Sequence, residues 1–186
     1  MTLTAHDERL IKALAIAIAN RPRATLKELA EAAGVSKATL HRFCSTRDNL
    51  VELLMREGEA AMNQVISQAE LTRAEPLVAL RSLINGHLTH RELLIFLMFQ
   101  YRPDSLDPEA DGERWQSYTE ELDGFFLRGQ QAGVLRIDIP APVFTELFLS
   151  LIYGMVDAER RGRAASASSA VVLEQLFLQG AAAQPL

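Results

Sequence analysis

Apolar residues recur three and four places apart along nearly the whole chain, the repeat that lays a stripe down one side of an α-helix. Leu10, Ile11, Leu14, Ala15 and Ile18 form one such stripe and predict a helix over about 7–20, ended by Arg21-Pro22-Arg23. Leu26, Leu29, Ala30 and Ala33 form a second, at the i, i+3, i+4, i+7 spacing. Thr25 precedes it and Glu28 stands three residues on, so hydroxyl and carboxylate can each cap the other's backbone N–H. Gly34 suits the left-handed conformation wanted just past a helix end, and Ser36 caps a short helix over about 37–43 whose Leu40 faces inward. Thr46 then caps a helix carrying Leu50, Leu53 and Leu54, and that pattern runs on without proline to about Glu70.

The remainder reads the same way. Helices are predicted over about 76–88, 91–101, 109–132, 142–161 and 168–179, with a polar break at 103–108 and a short connection at 134–140. No stretch alternates convincingly with the period of a strand, so the fold class is all-α, with eight or nine helices. The last two helices are apolar on more than one side: Phe144, Leu147, Phe148, Leu151, Ile152, Met155 and Val156 in the first, Val171, Val172, Leu173, Leu176, Phe177 and Leu178 in the second. One body cannot easily bury both sides, so a two-fold contact with a second copy is expected, with Phe144, Leu147, Leu151, Met155, Leu173, Leu176 and Phe177 as its residues.

The segment 24–54 therefore reads as two short helices about a tight turn followed by a third, with Lys37, Ala38, Thr39, His41 and Arg42 on the outer side of the second helix. A helix so presented fits the major groove of DNA. Ala30 to Ser36 follow an A-x-x-A-G-V-S run, Thr39 to Arg42 a T-L-aromatic-R pattern, and Thr46 to Leu50 a cap of the S-[KR]-[DE]-x-L kind. In these residues the first third of the chain resembles the TetR/AcrR family of bacterial transcriptional regulators. His41 stands where that family usually has tyrosine, and Cys44 where it usually has phenylalanine, with Phe43 one position earlier.

The resemblance implies a three-helix helix-turn-helix DNA-binding head, here 1–50, and a C-terminal helical body for effector binding and dimerisation, here 51–186. It also implies a four-helix dimer contact and repression of a palindromic operator in double-stranded DNA, released by a small, largely apolar ligand. Thr25, Lys27, Ser36, Lys37, Ala38, Thr39, His41, Arg42 and Arg47 are the candidate DNA contacts, Thr25 and Arg47 as flanking phosphate ligands at helix starts. In the body only helix order and pieces such as RGQQAGVLR at 128–136 are similar to the family, so ligand contacts rest on local composition. Phe96, Phe99, Gln100, Trp115, Tyr118 and Phe125 are the candidates, within a concentration of large apolar and aromatic residues in the middle helices that includes Met98, Tyr101 and Phe126.

Charge supports a division of labour. The chain carries a net charge of −5, but residues 1–56 sum to +3 and the rest to −8, a basic module on an acidic body. Cys44, the single cysteine, admits no intramolecular disulfide and suits a buried structural role in a reducing compartment. The start MTLTAHDERL shows no export signal and the longest apolar run, 147–156, falls short of a bilayer span, so a cytoplasmic protein is expected. There is no G-x-S-x-G, H-E-x-x-H or phosphate-binding glycine loop, and no enzyme activity, cofactor or metal is expected. His87 and His90, with Glu92 nearby, come nearest to a metal pair and read better as surface or capping groups, while the carboxylates of 109–123 read as a solvated face. The competing reading is a dimeric helical scaffold that binds another protein, which leaves the capped head unexplained.

Overall fold

A computed structural model describes the backbone of residues 5–100 and 108–183, and the side chains of 7–98 and 114–183. Among the described residues there are nine helices: α1 (Ala5–Asn20), α2 (Leu26–Ala32), α3 (Lys37–Phe43), α4 (Arg47–Gln68), α5 (Pro76–Thr89), α6 (Arg91–Gln100), α7 (Pro108–Gln131), α8 (Ala141–Arg160) and α9 (Ser166–Ala181). The polar break expected at 103–108 lies, but for the first residue of α7, outside the described residues.

The chain packs as two compact units, one of residues 1–60 with 91–103, the other of 61–90 with 104–186. The division expected between 50 and 51 falls inside α4, which contributes residues to both units. In the first unit α1 packs along α6 and against α2, and α2 against α3. Leu14, Ile18, Leu29, Leu40, Leu50, Leu54 and Phe96 are among its fully buried side chains. Gly58 lets α4 lie close on α6: a β-carbon there would meet Leu97 Cδ2 at 3.0 Å.

The second unit is organised about four phenylalanines. The Phe126 ring lies 5.9, 5.8 and 5.5 Å from those of Phe144, Phe148 and Phe177, so α7, α8 and α9 converge on one aromatic cluster. α8 is apolar and long enough, at 20 residues, to cross a membrane by composition alone. Its Phe144, Phe148, Ile152 and Val156 instead face this core, each 1% exposed, as in a core helix. The 134–140 connection is pinned by a single antiparallel bridge of Leu135 with Ala182, through Arg136 N–H to Ala181 O at 2.9 Å and Ala183 N–H to Val134 O at 3.0 Å. One bridge leaves no sequence period, and nothing in the sequence announced it.

Candidate nucleic-acid interface

The head is held by caps that its own sequence supplies. Thr25 Oγ1 accepts from Glu28 N–H at 3.3 Å, and a Glu28 carboxylate oxygen accepts from Thr25 N–H at 2.7 Å and from its hydroxyl at 2.8 Å. Those hydrogen bonds hold the Glu28 carboxyl below its usual range. Gly34 ends α2 at φ +71°, and Val35 N–H reaches back to Ala30 O at 2.9 Å, closing the turn into α3. Ser36 Oγ accepts from Thr39 N–H at 3.0 Å and lies 2.9 Å from the Thr39 hydroxyl. Thr46 Oγ1 accepts from Asn49 N–H at 3.1 Å and starts α4.

α3 is anchored by one residue. Leu40 is 1% exposed, and around it Ser36, Lys37, Ala38, His41 and Arg42 are exposed and Thr39 half-buried. Two donors and a ring thus stand on the outer side of a seven-residue helix clamped at its inner side, the arrangement a recognition helix needs. Cys44 fills the end of α3 as a buried thiol, its Sγ 3.7 Å from Leu40 O, and burial pushes the thiol pKa up, which disfavours the reactive thiolate.

Two of the candidate phosphate ligands are partly committed elsewhere. The Thr25 N–H and hydroxyl face Glu28, so a carboxylate occupies the place expected for an anion. Arg47 Nη2 donates to Pro22 O at 2.6 Å and ties the start of α4 to the loop after α1. Lys27 is exposed and only loosely paired, at 3.9 Å, with Glu31.

The candidate ligand residues do not gather in one place. Phe96 is fully buried in the first unit, whereas Trp115, Tyr118 and Phe125 belong to the second; the side chains of Phe99 and Gln100 lie outside the described residues. Trp115 and Tyr118 meet edge to face at 5.9 Å, and Phe125 packs on Phe126 at 5.0 Å. Pro76, Leu77, Leu80, Phe125, Phe126, Val134, Leu135 and Phe177 line a narrow apolar crevice in the second unit that is too tight to admit a water molecule.

The reading of His87 as a surface or capping group is corrected. It is fully buried and both ring nitrogens are engaged. A carbonyl can only accept, so Nδ1–H donates to Leu83 O at 2.6 Å, which leaves Nε2 to accept from the Tyr118 hydroxyl at 2.5 Å. No nitrogen is left for a metal. Burial, aided by nearby His90, pushes the His87 pKa down to about 4 against the opposing Leu83 carbonyl, and burial pushes the Tyr118 phenol up. The sequence carried no sign of this pair, whose members stand 31 residues apart.

The expected dimer residues separate into two sets. Phe144, Leu173 and Phe177 are at most 5% exposed and belong to the aromatic core of one molecule, so they cannot also form its surface. Leu147 and Leu176 are half exposed, at 50% and 53%, and Leu151 and Met155 are intermediate. Val143 and Val171, at 43% and 57%, join them on the outer side, beyond the expected set. A helix apolar all round does not say which side its own core takes, and that ambiguity misplaced the three.

Comparison with known proteins agrees with this architecture. A model described as the IclR helix-turn-helix domain matches residues 9–46, the head alone. The HTH-type transcriptional regulator NfxB of Pseudomonas aeruginosa is 73% identical over 181 residues, 97% of either chain. The HTH-type transcriptional repressor LfrR of Mycolicibacterium smegmatis is 32% identical over 101 residues, 54% of this chain and 52% of that one. A solved structure of LfrR, described as TetR-like and in complex with proflavine, superposes with a TM-score of 0.72 at 21% identity, over 93% of this chain and 94% of that one. The ketosteroid transcriptional regulator KstR2 of Mycobacterium tuberculosis superposes at 0.77 with 16% identity, over 98% of each chain. These two superpositions speak to the fold, and the regulator similar over nearly the whole length speaks to the family. The chain is a DNA-binding transcriptional regulator of the TetR/AcrR family.

Proposed function

We propose that the protein is a cytoplasmic repressor that binds a pseudo-palindromic operator as a homodimer and leaves it when a small, largely apolar ligand binds the body. The observation that carries the DNA-reading part is α3 itself, with Lys37, Ala38, His41 and Arg42 exposed around the buried Leu40. Lys37 is proposed for a guanine edge or a phosphate, Thr39 for a thymine methyl or a phosphate, and His41 and Arg42 for backbone oxygens. Lys27, Ser36 and Ala38 complete the face; Thr25 serves through its cap, and Arg47 keeps what donor capacity the Pro22 carbonyl leaves it. Occupying a promoter needs no contact with polymerase, which favours repression, and LfrR is itself named a repressor.

The dimer is proposed on the outer side of α8 and α9, through Val143, Leu147, Leu151, Met155, Val171 and Leu176. The ligand is proposed to contact Trp115, Tyr118 and Phe125 in the second unit. LfrR has been solved with proflavine, a flat aromatic cation, and stacking on aromatic side chains beside the carboxylates of α7 suits a ligand of that kind. A ligand that prefers a form whose heads are wrongly spaced for DNA releases the operator by linkage. The protein acts by binding and needs no turnover.

The experiment is selection of bound fragments from the source genome, repeated with Lys37→Ala/Arg42→Ala. Enrichment of a palindrome by the wild type, abolished in the double variant, is the expected result. Failure of the wild type to enrich any sequence returns the weight to a protein-binding scaffold.

A further inference from the structure

Arg21-Pro22-Arg23, which the sequence offers only as a helix terminator, forms one wall of an open groove on the surface of the head. Arg21, Pro22, Arg23, Ala24 and Glu28 line it, around a volume of about 430 Å³, enough for a sugar-phosphate unit. The loop is held from three sides. Pro22 restricts its own backbone, Ala24 N–H closes a turn onto Arg21 O at 3.0 Å, and Arg47 Nη2 grips Pro22 O at 2.6 Å. Arg47 opens α4 three residues after Cys44 closes α3, so this hydrogen bond ties the groove to the backbone that follows the recognition helix. The only acid lining the groove, Glu28, turns a carboxylate oxygen to the Thr25 N–H and hydroxyl. Arg21 and Arg23 are exposed, and no ion pair takes up either guanidinium among the described residues.

Glu28 feels the charge of Arg21, but its carboxylate is bonded to Thr25 and forms no ion pair with either arginine. A planar fork with several donors, fixed at its backbone and not closed into an ion pair, is matched to an oxygen anion with more than one acceptor. We propose that the Arg21–Arg23 loop is a second DNA-contacting element that grips the phosphodiester backbone flanking the base pairs read by α3. It supplies the flanking phosphate contact that the sequence assigned to Arg47, whose guanidinium positions the loop. Such contacts set register and affinity and carry no base preference.

This rests on the DNA-reading proposal, and the test separates the two. The full chain is titrated with its selected operator duplex and with an unrelated duplex of equal length over a range of KCl. Removing one phosphate-binding charge makes the slope of log affinity against log salt shallower by about 0.9. Arg21→Gln/Arg23→Gln is expected to weaken both duplexes alike, by tenfold or more at low salt, with a slope shallower by roughly two such steps for each head engaged. Arg163→Gln, which removes one positive charge from the exposed link after α8, is expected to leave the slope where it is. Arg21→Lys/Arg23→Lys keeps the charge and is expected to restore the salt slope while recovering only part of the affinity, since an ammonium lacks the guanidinium fork. A Gln variant whose slope and affinity match the wild type overturns the proposal. So does a slope that stays as shallow in the Lys variant as in the Gln variant, which assigns the arginines to holding the loop. Absence of any duplex binding by the wild type overturns the DNA-reading proposal and this one together.

Discussion

His87 is a neutral imidazole sealed inside the second unit, and its cost appears only when acid is added. Its pKa of about 4 lies below the ordinary 6.5, so the unfolded chain takes up a proton that the folded chain refuses. The stability associated with the neutral ring is therefore complete above the unfolded value and is lost as pH falls from 6.5 toward 4. A shift of that size corresponds to roughly 3 kcal/mol across the window. His87→Gln keeps an N–H for Leu83 O and an acceptor for the Tyr118 hydroxyl but does not titrate. Urea midpoints measured from pH 7 to pH 4 should fall steeply for the wild type and less steeply for the variant. Parallel curves would assign the acid sensitivity to carboxylates elsewhere.

At the scale of the helix, one added methyl group has opposite effects at two glycines. Gly34 has φ +71° and nothing within 4 Å of where a β-carbon would stand, so Gly34→Ala meets no clash and incurs only the left-handed strain, about 1–2 kcal/mol. Gly124 lies inside α7, also in open space, and Gly124→Ala should stabilise by roughly 0.5–1 kcal/mol through chain entropy. Thermal midpoints moving in opposite directions are the expected result, and a Gly34→Ala protein as stable as the wild type would mean that the turn between α2 and α3 relaxes. The same contrast between local and distant surroundings explains what was legible in the sequence. The caps and the turn that shape the head act within a few residues: Thr25 with Glu28, Ser36 with Thr39, Thr46 with Asn49, Val35 with Ala30. Local pattern reasoning sees those, and helix boundaries elsewhere were legible for the same reason. It does not see Tyr118 meeting His87, or the Arg128 guanidinium donating to the Leu71 and Ala74 carbonyls more than 50 residues away. The placement of α6 beside α1 is equally non-local. The candidate DNA face was thus largely readable, whereas the candidate ligand residues, scattered over two units, were not.

For the whole molecule, the proposed dimer makes an unusual demand on α8. Val143, Leu147, Ser150 and Gly154 recur at steps of four, three and four along its exposed side, while Phe144, Phe148, Ile152 and Val156 fill the core on the other. An exposed Leu or Val gains about 1.5–3 kcal/mol on full burial, so two copies pairing Val143 and Leu147 of α8 and Val171 and Leu176 of α9 from each have ample driving force. Glycine in a helix interior costs about 0.5–1 kcal/mol relative to alanine, and Gly154 has nothing within 4 Å in the single chain to justify that cost. A second helix approaching closely at that point does justify it. Leu147→Glu should shift sedimentation from dimer to monomer and weaken operator binding by roughly a hundredfold or more, since a lone head forfeits half of a two-site contact. Gly154→Ala is the finer probe. If the face is bathed in solvent, the variant simply melts at a higher temperature. If it is paired, the dimer dissociates at higher protein concentration while each chain keeps its fold, and that is the expected outcome. A more stable protein with unchanged self-association would place the two-fold axis on α9, around Val171 and Leu176, and leave α8 at its edge.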